Sequence, residues 1–111
     1  MTKKVLIADN EEEVSRSIVG LLDVGLSLRG INEKIEYLFG NSNGDHFDLA
    51  ITNNVEIMDD SRKRNIPTIF YGSIEYRNKS FEMGANWIGK SFFLSPVYLI
   101  LDSMGILFGE N

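Results

Sequence analysis

The chain contains no cysteine, a single histidine, a single tryptophan and only two prolines. Without cysteine, thiol nucleophiles, disulfide staples, cysteine-ligated zinc and thiol redox chemistry are all excluded. The scarcity of proline, with 43% apolar and 24% charged residues, excludes the compositions that stay disordered. Positive charge is also short: 11 Lys and Arg against 16 Asp and Glu leave a net charge of -5, which argues against a nucleic-acid partner. The one basic cluster, Arg62-Lys63-Arg64, reads as a solvated helix face. Long apolar runs are missing as well. The run after Met1-Thr2-Lys3-Lys4 stops at Asp9, so neither a secretory segment nor a membrane span is expected there, and a cytoplasmic location is. What remains is a length suited to a single domain, residues 1–111, able to bury a core without metal or disulfide.

Short apolar runs alternate with longer amphipathic ones, the signature of an α/β fold. Val5-Leu6-Ile7-Ala8, Asp48-Leu49-Ala50-Ile51-Thr52, Thr68-Ile69-Phe70-Tyr71 and Asn86-Trp87-Ile88 are apolar on both faces, as buried parallel strands require. Leu26-Ser27-Leu28-Arg29 alternates and is expected to form a second strand, at an edge. Glu11 to Leu22 places Val14, Ile18, Leu21 and Leu22 on one helical face, and Ile31, Ile35, Leu38 and Phe39 do the same, so both segments are expected to be crossover helices. Ile74 to Met83 and Pro96 to Phe108 supply two more, the last opening with Ser95 as N-cap and Pro96 at its first position. Asn43-Gly44 marks a turn before the third strand.

In an open parallel sheet, functional groups gather beyond the carboxyl ends of the strands, where strand order reverses. That rule selects Asp9 and Asn10 after the first strand, Asn53 and Asn54 after the third, Gly72 and Ser73 after the fourth, and Lys90 after the fifth. Only one acid and one base stand among them.

Lys4-Val5-Leu6-Ile7-Ala8-Asp9-Asn10-Glu11 resembles the opening of a receiver domain of the two-component response regulators, with Asn10 in place of the second acid. Phe47 to Thr52 is similar to the family's third strand, and the following position, where the phospho-accepting aspartate belongs, holds Asn53. Pro67 to Tyr71 resembles the fourth strand, with Gly72 in place of the hydroxyl residue and Ser73 at the small position. Met83 to Phe92 resembles the fifth-strand signature, keeping Lys90 and Trp87 but with Ser91 where proline is usual. The resemblance spans essentially the whole chain. It implies a flavodoxin-like, doubly wound five-stranded parallel sheet of order 2-1-3-4-5. Only thirteen residues separate Asn53 from Pro67, so a shortened third helix is expected.

The departures carry chemistry. Acyl-phosphate formation needs a carboxylate nucleophile and a magnesium ion to draw charge from the phosphoryl group. Asn53 is no anionic nucleophile, and Asn10 and Asn53 leave Asp9 as the only anion for a metal that prefers carboxylate and water oxygens. Each lost unit charge forfeits about 4 kcal/mol of gross attraction at about 4 Å and an effective dielectric near 20, and about twice that for a divalent ion. The expectation is therefore a degenerate pocket of Asp9, Asn10, Asn53, Gly72, Ser73 and Lys90, with no magnesium, no cofactor and no catalysis, in which Lys90 turns to Asp9 or Asn53. The resulting function is phosphorylation-independent signalling through a protein partner, with self-association also expected. Two alternatives stand beside it. Asp59-Asp60 could serve as a displaced phosphorylation site, although a solvated loop pair is the plainer reading. An unrelated enzyme or flavin-binding domain of the same topology is the other, but Glu11, Glu12 and Glu13 would repel a phosphate at the start of the first helix, and lone His46 reads as a strand-start residue.

The last helix is apolar at almost every position. Val97, Ile100, Leu101, Met104 and Phe108 are enough for a core-facing stripe, which leaves Tyr98, Leu99 and Ile106 to point outward. With Tyr76 and Trp87 they form the expected partner or dimer surface, on the face that the resemblance implies receivers use, although plain packing is the commoner role for Trp87.

Overall fold

The computed structural model describes residues 2–40, 46–89 and 97–109. Its five strands are β1 (Lys3–Ala8), β2 (Ile35–Phe39), β3 (Leu49–Thr52), β4 (Thr68–Gly72) and β5 (Asn86–Gly89), and they form one parallel sheet of order β2-β1-β3-β4-β5. The four α-helices are α1 (Glu12–Leu28), α2 (Val55–Lys63), α3 (Arg77–Glu82) and α4 (Val97–Phe108), with a 3-10 turn at Ile74–Tyr76 leading into α3. This is the doubly wound, flavodoxin-like arrangement, and α2, only nine residues long, is the shortened helix.

The reason lies in β1 and β3, where Val5 to Ala8 and Leu49 to Thr52 are buried whichever way they point. A strand apolar on both faces needs cover on both. On one face Val5, Ile7, Leu49, Ile51 and Ile69 pack with Ile18, Leu22 and Leu26 of α1 and Leu99, Met104 and Leu107 of α4. On the other, Leu6 and Ala50 pack with Phe47 and Ile66, and Phe70 packs with Met58 of α2 and Ala85. Each fully buried aliphatic side chain contributes roughly 1.5–3 kcal/mol relative to exposure.

Two expected elements are corrected. Leu26 to Arg29 is not a strand but the end of α1. Ile18, Leu22, Gly25 and Leu26 are buried at helical spacing, and Leu28 is exposed. The helix stops at Gly30, whose φ of 67° suits glycine, and a Schellman closure forms: Gly30 N–H donates to the Ser27 carbonyl at 3.1 Å and Ile31 N–H to that of Leu26 at 3.0 Å. The helix expected over Ile31 to Phe39 is instead β2, in which Ile35 and Tyr37 pack on the α1 side of the sheet and Leu38 on the opposite side. Ile31, Ile35, Leu38 and Phe39 fit a helical stripe equally well on paper. Pairing with the exposed flank of β1 favours the strand. The expected Ser95 and Pro96 cap and the Asn43-Gly44 turn lie outside the described residues.

Arg62 also departs from its expected solvated role. Its guanidinium donates to the carbonyls of Met83 and Ile66, both at 2.9 Å, and so ties the end of α2 to the approaches of β4 and β5.

The corrected length of α1 is testable at two glycines. A Cβ on Gly20 meets nothing within 4 Å, whereas one on Gly25 lies 2.5 Å from the Ile100 Cγ2 of α4. Gly20→Ala should stabilise the protein by about 1 kcal/mol through helix propensity. Gly25→Ala should destabilise it by about 1 kcal/mol or more, because overpacking outweighs the same gain. Urea unfolding of both variants checks this. Equal stabilisation by the two would mean that α1 does not dock on α4 at Gly25.

Candidate functional site

The carboxyl ends of β1, β3 and β4 converge on a polar cluster. β1 delivers Asp9, whose Oδ1 accepts the backbone N–H of Glu11 at 2.7 Å, an Asx-type turn that leads the chain into α1. Asp9 Oδ2 accepts the hydroxyl of Tyr71, the next-to-last residue of β4. Tyr71 is buried, and burial first, then the hydrogen bond and charge of Asp9, push its hydroxyl well above the ordinary tyrosine value. A buried tyrosine hydroxyl needs an acceptor, and a strand-end carboxylate supplies one.

β3 is stitched to β1 at the same level. The Thr52 hydroxyl donates to the Ala8 carbonyl at 2.8 Å and accepts the Asn54 N–H at 2.9 Å. Asn54 in turn caps α2, its Oδ1 accepting the N–H groups of Glu56 at 2.9 Å and Ile57 at 3.2 Å. Between these two anchored residues sits Asn53, partly buried, with an enclosed Oδ1 that has no hydrogen-bond partner among the described residues. Gly72 ends β4 with little room, since a Cβ there would lie 3.3 Å from the Phe70 ring. Ser73 turns to Glu75, its hydroxyl donating at 3.0 Å, and Asn10 is exposed. Lys90 lies outside the described residues, so its expected bond to Asp9 or Asn53 does too.

Of the expected pocket, Asp9, Asn53 and Gly72 stand at or just beyond the ends of the adjoining strands β1, β3 and β4. Tyr71 is the member that residue-type reasoning passes over. Its signal was available: it ends the buried run Thr68 to Tyr71 with a hydroxyl at the carboxyl end of the strand. Chemically, both carboxylate oxygens of Asp9 already accept a hydrogen bond, and the side chain beside it is a neutral amide. No group of three or more His, Asp or Glu able to hold a metal occurs among the described residues. Asp59 and Asp60 form i,i+4 ion pairs along α2 with Lys63 at 2.9 Å and Arg64 at 3.3 Å, and His46 is exposed just before the buried Phe47.

The expected partner surface is partly corrected. Leu99 is 1% exposed and belongs to the core, and Ile106 is partly buried against it, whereas Leu101, expected inside, is 45% exposed beside Tyr98 at 65%. The core stripe of α4 runs through Leu99, Ser103, Met104 and Leu107. A helix apolar nearly all round carries little phase information, and the core-facing side includes a serine that no hydrophobic pattern would select. Trp87 is partly buried against Met58, Phe70 and Ala85, and Tyr76 sits edge-on to Phe70 at 5.7 Å between ring centroids. No helix among the described residues is long and apolar enough to cross a membrane.

No protein-family model matches the chain, and a search of curated proteins finds no significant match.

Tyr71→Phe should cost about 1–2 kcal/mol, the range for a hydrogen bond to a charged acceptor that retains some access to water. The pH dependence follows from the raised hydroxyl. A group that holds its proton more tightly when folded stabilises fully below its unfolded value, 10.0 here, and that contribution is lost as pH rises above it. Wild type should thus lose stability above about pH 10 more steeply than Tyr71→Phe, as read by urea midpoints across the alkaline range. Parallel pH profiles would remove Tyr71 from the site.

Proposed function

We propose that the chain is a receiver-like signalling module that works in the cytoplasm without phosphorylation, by binding another protein. The observation that carries this reading is the state of Asp9: the strand-end carboxylate has one oxygen on the Tyr71 hydroxyl and the other on the Glu11 backbone. In a phosphorylatable receiver that carboxylate serves a magnesium ion beside an aspartate nucleophile. Here the donor set does not fit the ion. Magnesium prefers several oxygen ligands in octahedral array, carboxylates among them, and the described strand ends offer one engaged carboxylate and the neutral amide of Asn53. An amide cannot take the role of the nucleophile, and Gly72 offers no hydroxyl to the phosphoryl group. The cluster acts instead as a hydrogen-bonded plug at the ends of β1, β3 and β4.

With the switch chemistry gone, function passes to the surface. Tyr98 and Leu101 lie three residues apart on one exposed face of α4, and Tyr76 is exposed where the 3-10 turn enters α3. Apolar side chains exposed in this way suit contact with a protein partner. Trp87 packs on Phe70, the ring against which Tyr76 rests.

Acetyl phosphate with magnesium should therefore add no phosphoryl group to the wild type by intact mass. Asn53→Asp alone should also label poorly, because Asp9 is still held by Tyr71 and Gly72 still lacks a hydroxyl. Efficient labelling of either form would refute the reading. For the surface, Leu101→Glu should leave the melting temperature nearly unchanged and weaken capture of the partner from native extract, whereas Leu99→Glu should unfold the domain by burying an unpaired charge. Partner capture indifferent to Leu101→Glu and to Tyr98→Glu would move the binding face elsewhere.

A further inference from the structure

β2 closes one edge of the sheet and pairs only with β1. Two backbone bonds fix its orientation: Lys3 N–H donates to the Lys34 carbonyl at 3.1 Å, and Gly40 N–H donates to the Ile7 carbonyl at 3.4 Å. Residues 34 and 40 thus turn their backbone groups toward β1, and strand alternation gives Glu36 and Leu38 the same direction. The N–H and C=O groups of Ile35, Tyr37 and Phe39 consequently point away from the sheet. Among the described residues nothing bonds to them.

Exposed edges are ordinarily blunted by lysine, proline or a bulge. Ile35-Glu36-Tyr37-Leu38-Phe39 contains neither residue, and its register with β1 runs through five consecutive pairs without a bulge. Phe39 is 53% exposed. At the start of this edge lies an open hollow of about 350 Å³, lined by Thr2, Lys34, Ile35 and Glu36. Lys34 and Glu36, two residues apart on one face of the strand, are both exposed.

The geometry points to a second copy of this chain as the occupant, with residues 34–36, at the start of β2, antiparallel to the same residues of the copy about a two-fold axis at Ile35. In that register Ile35 meets Ile35 of the copy as a hydrogen-bonded pair, because its backbone groups face outward. The flanking positions then place Lys34 opposite Glu36 of the copy, and Glu36 opposite Lys34, at the non-hydrogen-bonded spacing where side chains approach most closely. The opposite charges are met twice by a single two-fold operation, so the edge is complementary to itself. A foreign strand would have to reproduce both the spacing and the order of these charges. The contact is small, so the dimer is weak, concentration-dependent and loosened by salt. It does not depend on the loss of phosphorylation proposed above.

The test is a charge exchange read by sedimentation velocity on the full chain. Wild type should dimerise with rising concentration, less so at high salt. Lys34→Glu and Glu36→Lys should each weaken association by about tenfold, equivalent to about 1.4 kcal/mol, since each sets two like-charge pairs in place of two opposite ones. The double variant Lys34→Glu with Glu36→Lys should recover dimerisation, which a merely structural defect would not. Any of three results overturns the proposal: a monomer at every concentration, self-association untouched by the single exchanges, or singles that weaken it without rescue by the double. Loss of the dimer in Leu101→Glu alone would assign self-association to α4 instead.

Discussion

The constraint on which the rest depends is the burial of β1 and β3 on both faces. Val5, Leu6, Ile7, Leu49, Ala50 and Ile51 leave no side of either strand for water, so helices must cover the sheet above and below. The two strands lie side by side within the sheet, flanked by β2 and β4, and their polar neighbours are left at the strand ends. The candidate site is thus a consequence of the core. Asp9, Thr52 and Tyr71 lie where the buried runs of β1, β3 and β4 reach solvent together.

Within that cluster the hydrogen bonds fall into two sets, one around Thr52 and one around Asp9. Thr52 binds the end of β1 through the Ala8 carbonyl and starts the turn to Asn54, which caps α2. Asp9 binds forward to the start of α1 and across β3 to Tyr71. Three strand ends and two helix starts are thus held by two sets of hydrogen bonds that meet at the Ala8–Asp9 backbone. Such bonds favour a single arrangement, since breaking one at a buried group leaves a donor or acceptor unpaired. The exposed edge of β2 and the outer face of α4 carry no such set of bonds among the described residues.

Much of this was legible in the residues. β1, β3, β4 and β5 are each visible as short runs read as buried on both faces, and the strand-end rule selects Asp9, Asn53 and Gly72 with no structure at all. The failures have physical causes. Leu26-Ser27-Leu28 alternates over too few positions to separate a strand from the last turn of a helix, and the decisive signal was Gly30, a stop one residue beyond the cap. Ile31 to Phe39 carries helical spacing by coincidence, while the β-prone Tyr37 within it and the pairing available along β1 made it a strand. In α4, where nearly every residue is apolar, no periodicity could say that Leu99 enters the core and Leu101 does not. Tyr71 was read as part of a buried strand, and it is, but its hydroxyl reaches across the sheet to the one carboxylate that matters.

The central claim is that Asp9 is held by Tyr71 and is closed to a divalent ion. The most direct measurement follows the side-chain carboxyl carbon of Asp9 by NMR during a magnesium titration, in wild type and in Tyr71→Phe. The account predicts an Asp9 signal that differs between the two proteins before any metal is added and that stays in place in the wild type up to millimolar magnesium. A saturable shift of that carbon in the wild type, or an identical signal with and without the tyrosine hydroxyl, would contradict it.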